Sequence, residues 1–413
     1  MPVAEFPEKI FPPPAAGWRL VVLLGALTAF APLAIDMYLP AFPNIARELG
    51  VELGAVEFTV SIFLAGMAAG QLIYGPLADR YGRRGPLLAG SVIFTVAALG
   101  CAAAHGIGAL LAGRLLMALG GAAGLVVTRA VVRDRFHAGD AARVFAQLML
   151  VMGAAPILAP SLGGLLLRIT GWRGIFCVLA AYGVACVAMV LGLLRESLPP
   201  ERRARGGFRE MMRVYREVLG HRAFVGYALA TGCGSGVLFS YITGVAAVFM
   251  GTYKMSPQQF GFAFSANALG IIGASQLNHY FLRTHSLRRV LRQAYTVLLV
   301  FAVALVVASA TGWGGLPLLW VLLLGALMAV GSILPNAAAL ALESFGHAAG
   351  SASSLLGTVQ YVIGGLAGAA VGLLHNGTTA PLTGMIAGCA VLGYAALRIL
   401  TPREPAMAAA RRD

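Results

Sequence analysis

Charged side chains are scarce in this chain. Only 11% of its 413 residues are Asp, Glu, Lys or Arg, and 59% are hydrophobic, whereas soluble proteins carry roughly 25% charged residues. No charged residue occurs between Gln293 and Leu342. So few charges cannot cover a water-soluble body of this size. The composition therefore disfavours a cytosolic enzyme, a disordered chain and a nucleic-acid-binding protein.

Motifs for disulfides, metals and nucleotides are also lacking. The five cysteines lie in apolar runs without a CxxC pair, the seven histidines show no HxxxH or HExxH spacing, and no GxxxxGK[ST] loop occurs. We therefore expect neither a disulfide framework nor a metal site. We also expect that ATP does not drive the protein directly.

Long apolar runs recur along the whole chain. A membrane helix needs about 20 mostly apolar residues, and twelve segments in succession meet that need, which leaves no plausible soluble alternative. The stretch up to Gly17 does not resemble a cleaved signal peptide. The predicted spans are 18–45, 54–78, 85–105, 107–132, 141–168, 173–195, 222–250, 257–282, 291–311, 315–342, 347–374 and 379–398.

Basic residues are distributed unevenly between the two ends of these spans. With the N-terminus inside, 24 of the 30 Lys and Arg residues lie in inner segments and 4 in outer ones, so the positive-inside rule places both termini in the cytoplasm. The longest polar break divides the spans six and six. The predicted organisation is a cytoplasmic tail, a six-helix bundle, a basic cytoplasmic linker against the inner leaflet, a second six-helix bundle and a second tail. Their bounds are 1–17, 18–195, 196–221, 222–398 and 399–413.

A weak internal repeat supports this division. At an offset of 205 residues, Leu64 matches Leu269, and the Gln-Leu pair that begins at Gln71 matches the pair that begins at Gln276. Two pseudo-symmetric bundles place a substrate site at their interface near the bilayer midplane. The expected fold class is an all-α membrane protein of twelve helices.

Asp36 is predicted to be the one acid well inside a span. An ionisable group at that depth indicates function by default. Arg114 lies at a comparable depth in the fourth span, and we expect its charge to tune Asp36. Asp36 is therefore a candidate proton switch. A permanent structural ion pair, or a polar contact that bends the helix, is the alternative.

Three short motifs point to a known family. The loop GPLADRYGRR at 75–84, the run GRLLMALGGAAG at 113–124 and APSLGG at 159–164 resemble signature motifs of the major facilitator superfamily, although Ala159 replaces the first glycine of the last motif. The run PLAIDMYLPA at 32–41 resembles helix 1 of its Bcr/CflA drug:proton antiporters. The resemblance implies a cytoplasmic gate at Gly75, Asp79, Arg80, Gly82, Arg83 and Arg84, proton coupling through Asp36 and Arg114, and an antiporter motif at Pro160, Gly163 and Gly164.

The resemblance also implies the function. We expect a monomer in the bacterial inner membrane that exports drug-like molecules of the bicyclomycin or chloramphenicol type. The proton gradient would drive it without a cofactor, and nucleic acid would play no part. A metabolite or amino-acid transporter of the same fold remains the alternative; a membrane enzyme would need a cluster of acids, histidines or nucleophiles that the sequence does not show. The polar and aromatic residues inside spans are substrate-binding candidates, although an interhelical hydrogen bond is the more common role for each taken alone: Tyr38, Ser235, Tyr241, Asn267, Gln276, Asn336, Gln360 and Tyr361.

Overall fold

The computed structural model describes residues 14–136, 138–203, 208–343, 345 and 349–401. Most of the two predicted tails lies outside these ranges, as do four residues of the predicted linker. The helices are α1 (Pro14–Thr28), α2 (Phe30–Asp36), α3 (Phe42–Leu49), α4 (Leu53–Tyr81), α5 (Arg84–Ala102), α6 (Ile107–Arg135), α7 (Ala138–Leu193), α8 (Phe208–Gly220), α9 (Arg222–Ala246), α10 (Pro257–Phe281), α11 (Leu287–Thr311), α12 (Gly315–Leu342), α13 (Ala349–Leu373) and α14 (Ala380–Leu400).

The first span is a broken helix. It consists of α1, α2, a 3₁₀ turn at Leu39–Ala41 and α3. Pro40 lies at the start of the 3₁₀ turn, and a second proline, Pro43, lies at the start of α3. Proline has no N–H to donate to the preceding turn, so the regular α-helix ends before these positions. As a result, Asp36 is the last residue of α2.

Twelve membrane spans fit the described residues. Eleven helical segments are long and apolar enough to cross a membrane, but α7 alone contains 56 residues, which would extend about 84 Å as one helix. Its backbone leaves helical geometry at Gly171, with φ 69° and ψ −176°. α7 is therefore two antiparallel spans joined at Gly171, which agrees with the predicted fifth and sixth spans.

The spans pack as two related bundles. In the first, α6 packs against α4 and α5, and α7 packs against α1 and α5; in the second, α9 packs against α12, α13 and α14, and α11 packs against α12 and α14. The bundles meet where α4 lies along α13 and where α7 lies along α10. The second span of each bundle thus contacts the fifth span of the other, which is the pattern expected from a twofold pseudo-symmetry axis.

The helices run between two ends of the molecule. The Arg83 end carries the loop between α4 and α5, and the Glu57 end is the opposite one, where α4 begins. The amphipathic helix α8 lies at the Arg83 end. Its Tyr215 and Val218 are buried, and α8 contacts α9 and α13. The described part of the linker is therefore docked on the second bundle.

Candidate functional site

Asp36 lies in the protein interior at the break in the first span. Its side chain is only 3% exposed, and Oδ1 has no hydrogen-bond partner among the described residues. An ionised carboxylate in an apolar interior is costly unless other groups pair with it, so Asp36 stays a candidate proton-binding group.

Gly163 of α7 allows the backbone at the end of α2 to approach α7 closely. A side-chain carbon added at Gly163 would fall far inside van der Waals contact of the Met37 carbonyl oxygen. That carbonyl belongs to the residue after Asp36. The predicted antiporter motif thus packs against the backbone next to the proposed proton switch, a proximity that the sequence did not reveal.

The other two residues of the antiporter motif face the second bundle. A side-chain carbon on Gly261 of α10 would lie 3.4 Å from Pro160. Gln258 donates a hydrogen bond to the Gly164 carbonyl at 3.3 Å. This stretch of α7 therefore joins the Asp36 break on one side to α10 on the other.

Arg114 is completely buried, but it does not pair with Asp36. Within the described ranges, no ion pair joins the two, and Arg114 Nε and Nη2 have no hydrogen-bond partner. Nη1 donates to the Ala34 carbonyl at 2.8 Å, and the guanidinium lies 4.3 Å from the ring centres of both Tyr38 and Phe63.

The permanent ion pair, which was the alternative to a proton switch, is therefore not formed among the described residues. The C-terminal carbonyls of a helix attract cations, and two aromatic faces add cation–π attraction. Arg114 is held by these groups at the end of α2 and not by the carboxylate. Its part in proton coupling stays a prediction.

A polar chain in the second bundle leads toward Asp36. Trp320 donates a hydrogen bond to Asn267 Oδ1 at 2.9 Å, and Asn267 Nδ2 donates to the Tyr241 hydroxyl at 2.9 Å. The Asp36 carboxyl lies close enough to Tyr241 for its charge to act on the phenol. Because the Tyr241 oxygen accepts from Asn267, its own O–H remains able to donate. The chain thus links α12, α10 and α9 of the second bundle and ends near the α2 break.

Aromatic rings surround this chain. Tyr241 stacks on Phe264 with ring centres 5.4 Å apart, and Phe264 contacts Phe260 at 5.9 Å. Trp320 also lines an open cleft of about 250 Å³ in the second bundle, together with Phe249, Met255, Gln259, Phe262, Ala263 and Leu316. An apolar wall with a few fixed polar groups is typical of small-molecule sites. Trp320 is a member of the site that the sequence interpretation missed, because a tryptophan in an apolar span carries no distinctive signal.

Two of the predicted substrate contacts form hydrogen bonds within a single bundle. The Tyr38 hydroxyl shares a 2.6 Å hydrogen bond with Thr59, and its ring lies against Arg114. Asn336 exchanges two hydrogen bonds with Asn278, at 2.8 and 2.9 Å. Both residues therefore make the interhelical contacts that were the alternative to binding a ligand.

The remaining candidates lie on α9, α10 and α13. Ser235 is buried in α9. Gln276 is exposed, on the face of α10 that Ser265 also occupies, and Ser265 donates to a carbonyl of α7. Gln360 and Tyr361 are half-buried in α13, where the Tyr361 ring lies 6.0 Å from that of Phe239. Of the candidates in the second bundle, Tyr241 lies close enough to feel the charge of Asp36, and Asn267 is hydrogen-bonded to Tyr241.

Arg83 is the centre of the cluster at the Arg83 end. Its Nη1 lies 2.6 Å from Asp79 Oδ1 and its Nε 2.9 Å from Asp134 Oδ2. The planar guanidinium therefore joins the ends of α4 and α6, which a single point charge could not do as well. Of the other members of the motif, Arg80 is exposed and lies over the ring of its neighbour Tyr81.

Glu196 completes this cluster, and the sequence interpretation missed it. It accepts from the backbone N–H of Arg83 at 2.8 Å and of Arg84 at 3.2 Å. Partial burial raises the pKa of Glu196, but its four backbone donors outweigh that effect, so the pKa lies below its ordinary value of 4.5. Gly82 has φ +93°, a backbone conformation that favours glycine. A side-chain carbon there would also displace the Glu196 carboxylate.

Two members of the predicted gate contact other elements. Gly75 faces α13, since an added side-chain carbon would lie 3.5 Å from Ser354. Arg84 donates to the Leu191 carbonyl at 2.9 Å. The charge of Asp79 also reaches Tyr215 of α8, and burial together with that charge raises the pKa of Tyr215. The gate motif thus connects the first bundle to the linker helix and to α13.

Glu57 is a second acid that is buried in a span, although it lies near the end of the span and not well inside it. Glu57, in the first turns of α4, is completely buried, and its Oε2 lies 3.3 Å from Nδ1 of His375, which follows α13. Its position near the end of the span suggested solvent exposure. The signal that could have found it is a glutamate set between Val56 and Phe58.

Known proteins share this fold and sequence over nearly the whole chain. The profile of the Major Facilitator Superfamily matches residues 24–369. An uncharacterized MFS-type transporter, YdgK of Bacillus subtilis, is 36% identical over 92% of this chain and 95% of its own length. A bicyclomycin resistance protein homolog of Haemophilus influenzae is 31% identical over 93% and 96%.

A solved structure confirms the architecture. The crystal structure of a D-xylose-proton symporter superposes with a TM-score of 0.75, at 14% identity, over 94% of this chain and 98% of that one. Such a likeness establishes the fold alone. Taken with the match over most of the sequence and the twelve spans in two bundles, it shows that this multi-pass membrane protein belongs to the major facilitator superfamily.

Proposed function

We propose that the protein exports drug-like small molecules across the bacterial inner membrane in exchange for protons. Both termini lie in the cytoplasm, which makes the Arg83 end cytoplasmic and the Glu57 end external, and the protein acts as a monomer without a cofactor. The bicyclomycin-resistance homolog supports a drug as substrate, and the excess of arginine at the Arg83 end supports the orientation.

The burial of Asp36 at the bundle interface carries this proposal. The carboxyl is 3% exposed, and within the described residues its Oδ1 has no partner. Without a bound cation or polar ligand it favours the protonated state, whereas a polar or cationic substrate beside Tyr241 favours the ionised one. Proton and drug therefore compete for one carboxyl, and the competition couples their opposite movements.

The aromatic wall gives the site its breadth of substrates. Tyr241, Asn267 and Trp320 supply three fixed polar groups, and Phe264 and Phe260 supply apolar surface. Ring faces accept many flat or apolar molecules without demanding one hydrogen-bond pattern. Arg114 holds the Ala34 carbonyl and so positions the end of α2 and the Asp36 carboxyl.

Inverted membrane vesicles with an acidic interior test the proposal. The wild type should accumulate bicyclomycin or chloramphenicol against its gradient, and each addition of drug should release protons, which a fluorescent pH probe detects. Asp36→Asn should abolish accumulation but keep drug exchange in the absence of a gradient, because only the proton-accepting group is lost. Asp140→Asn, at an exposed acid of α7 paired with Arg143, is the matched control and should behave as wild type. Proton-driven accumulation by Asp36→Asn would refute the mechanism.

A further inference from the structure

Glu57 and His375 face each other across the two bundles. Glu57 belongs to α4 of the first bundle and is 0% exposed, whereas the His375 side chain, just after α13 of the second, is 23% exposed. Nδ1 of His375 lies 3.3 Å from Oε2 of Glu57. Neither carboxyl oxygen of Glu57 has a hydrogen bond in the described part of the chain.

Tight backbone packing keeps water away from the carboxyl. A side-chain carbon on Gly54 would strike the Gly372 carbonyl, and one on Gly372 would lie 3.4 Å from Glu57 Cβ. At the same end α3 contacts the π-helical segment Ala247–Thr252 that extends α9. An ionised carboxylate in such a place is costly unless a cation stands beside it, and His375 is the group in position to supply one.

The charges around this pair favour a proton on it. Contact with Glu57 raises the pKa of His375 above its ordinary value near 6.5, partial burial lowers it, and the charges of Glu57 and Glu52 raise it further. The other charged or titratable groups at this end are engaged or in solvent. Glu48 binds Trp172 and Arg173, and the exposed groups are Arg47, His105, Arg168 and Lys254.

We propose that Glu57 and His375 form a second proton-binding site that holds the Glu57 end of the two bundles closed. With one proton the pair is neutral overall, as His⁺ beside Glu⁻ or as two neutral groups, which suits a buried place. Without the proton a bare carboxylate remains. When the bundles separate at this end, water reaches both side chains and the proton is no longer held.

The pH dependence follows from the direction of the pKa change. The closed state holds the proton more tightly than the open state, so its added stability is fully present below the ordinary histidine pKa of 6.5. It is lost as the pH rises through the higher value of the closed state. Given the orientation in the proposed function, on which this inference rests, external acid favours closure of the external end.

Spin labels on the two bundles measure this closure without transport. Gly108 of α6 and Gly384 of α14 are exposed at the Glu57 end, and a side chain at either would meet no neighbour. Both are changed to cysteine in a Cys177→Ser background, since the other four cysteines are buried. The distance distribution in purified full-length protein is then recorded from pH 5 to pH 9.

The wild-type fraction with the short distance should fall as the pH rises. The closed-to-open ratio should change about tenfold for each unit by which pairing raises the pKa. Glu57→Gln should remove this dependence, and so should His375→Gln, which tests the same pair if the first variant does not fold. Glu52→Gln is the matched control and should keep most of it.

Two results would overturn the inference. One is a flat wild-type titration, and the other is a slope in Glu57→Gln and His375→Gln equal to that of the wild type. A flat titration together with intact proton-driven efflux would refute this site alone. A normal titration together with uncoupled efflux would instead refute the proposed function.

Discussion

Substitution of Gly163 by alanine tests whether the close approach of α7 to the Met37 carbonyl is needed for coupled transport. In Gly163→Ala the added methyl group would fall far inside van der Waals contact with this oxygen, whereas an ordinary contact begins at 3.4 Å. The obstacle is backbone, which cannot rotate away as the end of a side chain can. Either α7 or the break in the first span must move.

The required movement sets the size of the effect. Restoring ordinary contact displaces the backbone beside Asp36 by about 1 Å or more, and such overpacking costs about 1–3 kcal/mol of stability. A displacement of about 1 Å at a reacting group lowers rates by roughly 100-fold. Because Met37 follows Asp36 directly, we expect loss of coupled transport that exceeds the loss of folded protein.

Gly164→Ala is the matched control in the same motif. A side-chain carbon there would lie 3.4 Å from the Pro257 carbonyl, which is ordinary contact, so this variant should transport as the wild type does. Initial rates of drug accumulation in inverted vesicles are measured for both variants and divided by the amount of folded protein, with thermal unfolding recorded in detergent. Wild-type rates in Gly163→Ala, or equal damage in both variants, would refute the reasoning.

Two further substitutions test contacts that the structure assigns to stability. Asn336→Leu should lower the free energy of unfolding by about 1–3 kcal/mol, because it leaves the Asn278 amide buried and unpaired. The double variant with Asn278→Leu should lose less stability than the sum of the two single variants. Additive losses in denaturant titrations would contradict the reciprocal hydrogen bonds. Arg83→Lys should lower the melting temperature, since one ammonium group bridges two carboxylates less well than a planar guanidinium does. Arg80→Lys, at an exposed position, should change the free energy of unfolding by less than about 0.5 kcal/mol. Equal melting temperatures for the two variants would contradict the central position of Arg83.

The composition and charge pattern determined the architecture. The backbone groups of the twelve apolar runs can be hydrogen-bonded in lipid only if the runs form helices. The basic break between the sixth and seventh runs predicts a division into two groups of six. The structure confirms twelve spans in two bundles. The depth of Asp36 in the first span could likewise be predicted, because an acid surrounded by apolar residues is visible in the sequence. An apolar run, and an acid within it, can each be recognised from a single segment of the sequence.

Tertiary packing decided which residues act together. Asp36 and Arg114 have similar depths, yet the guanidinium is bound by the end of α2 and two rings, since depth does not specify which face of a helix a residue occupies. Glu57 and His375 lie 318 residues apart along the chain and meet only because α4 and α13 pack tightly. Trp320, Gly163 and Glu196 also owe their places to contacts between distant segments, which no periodicity within one span encodes.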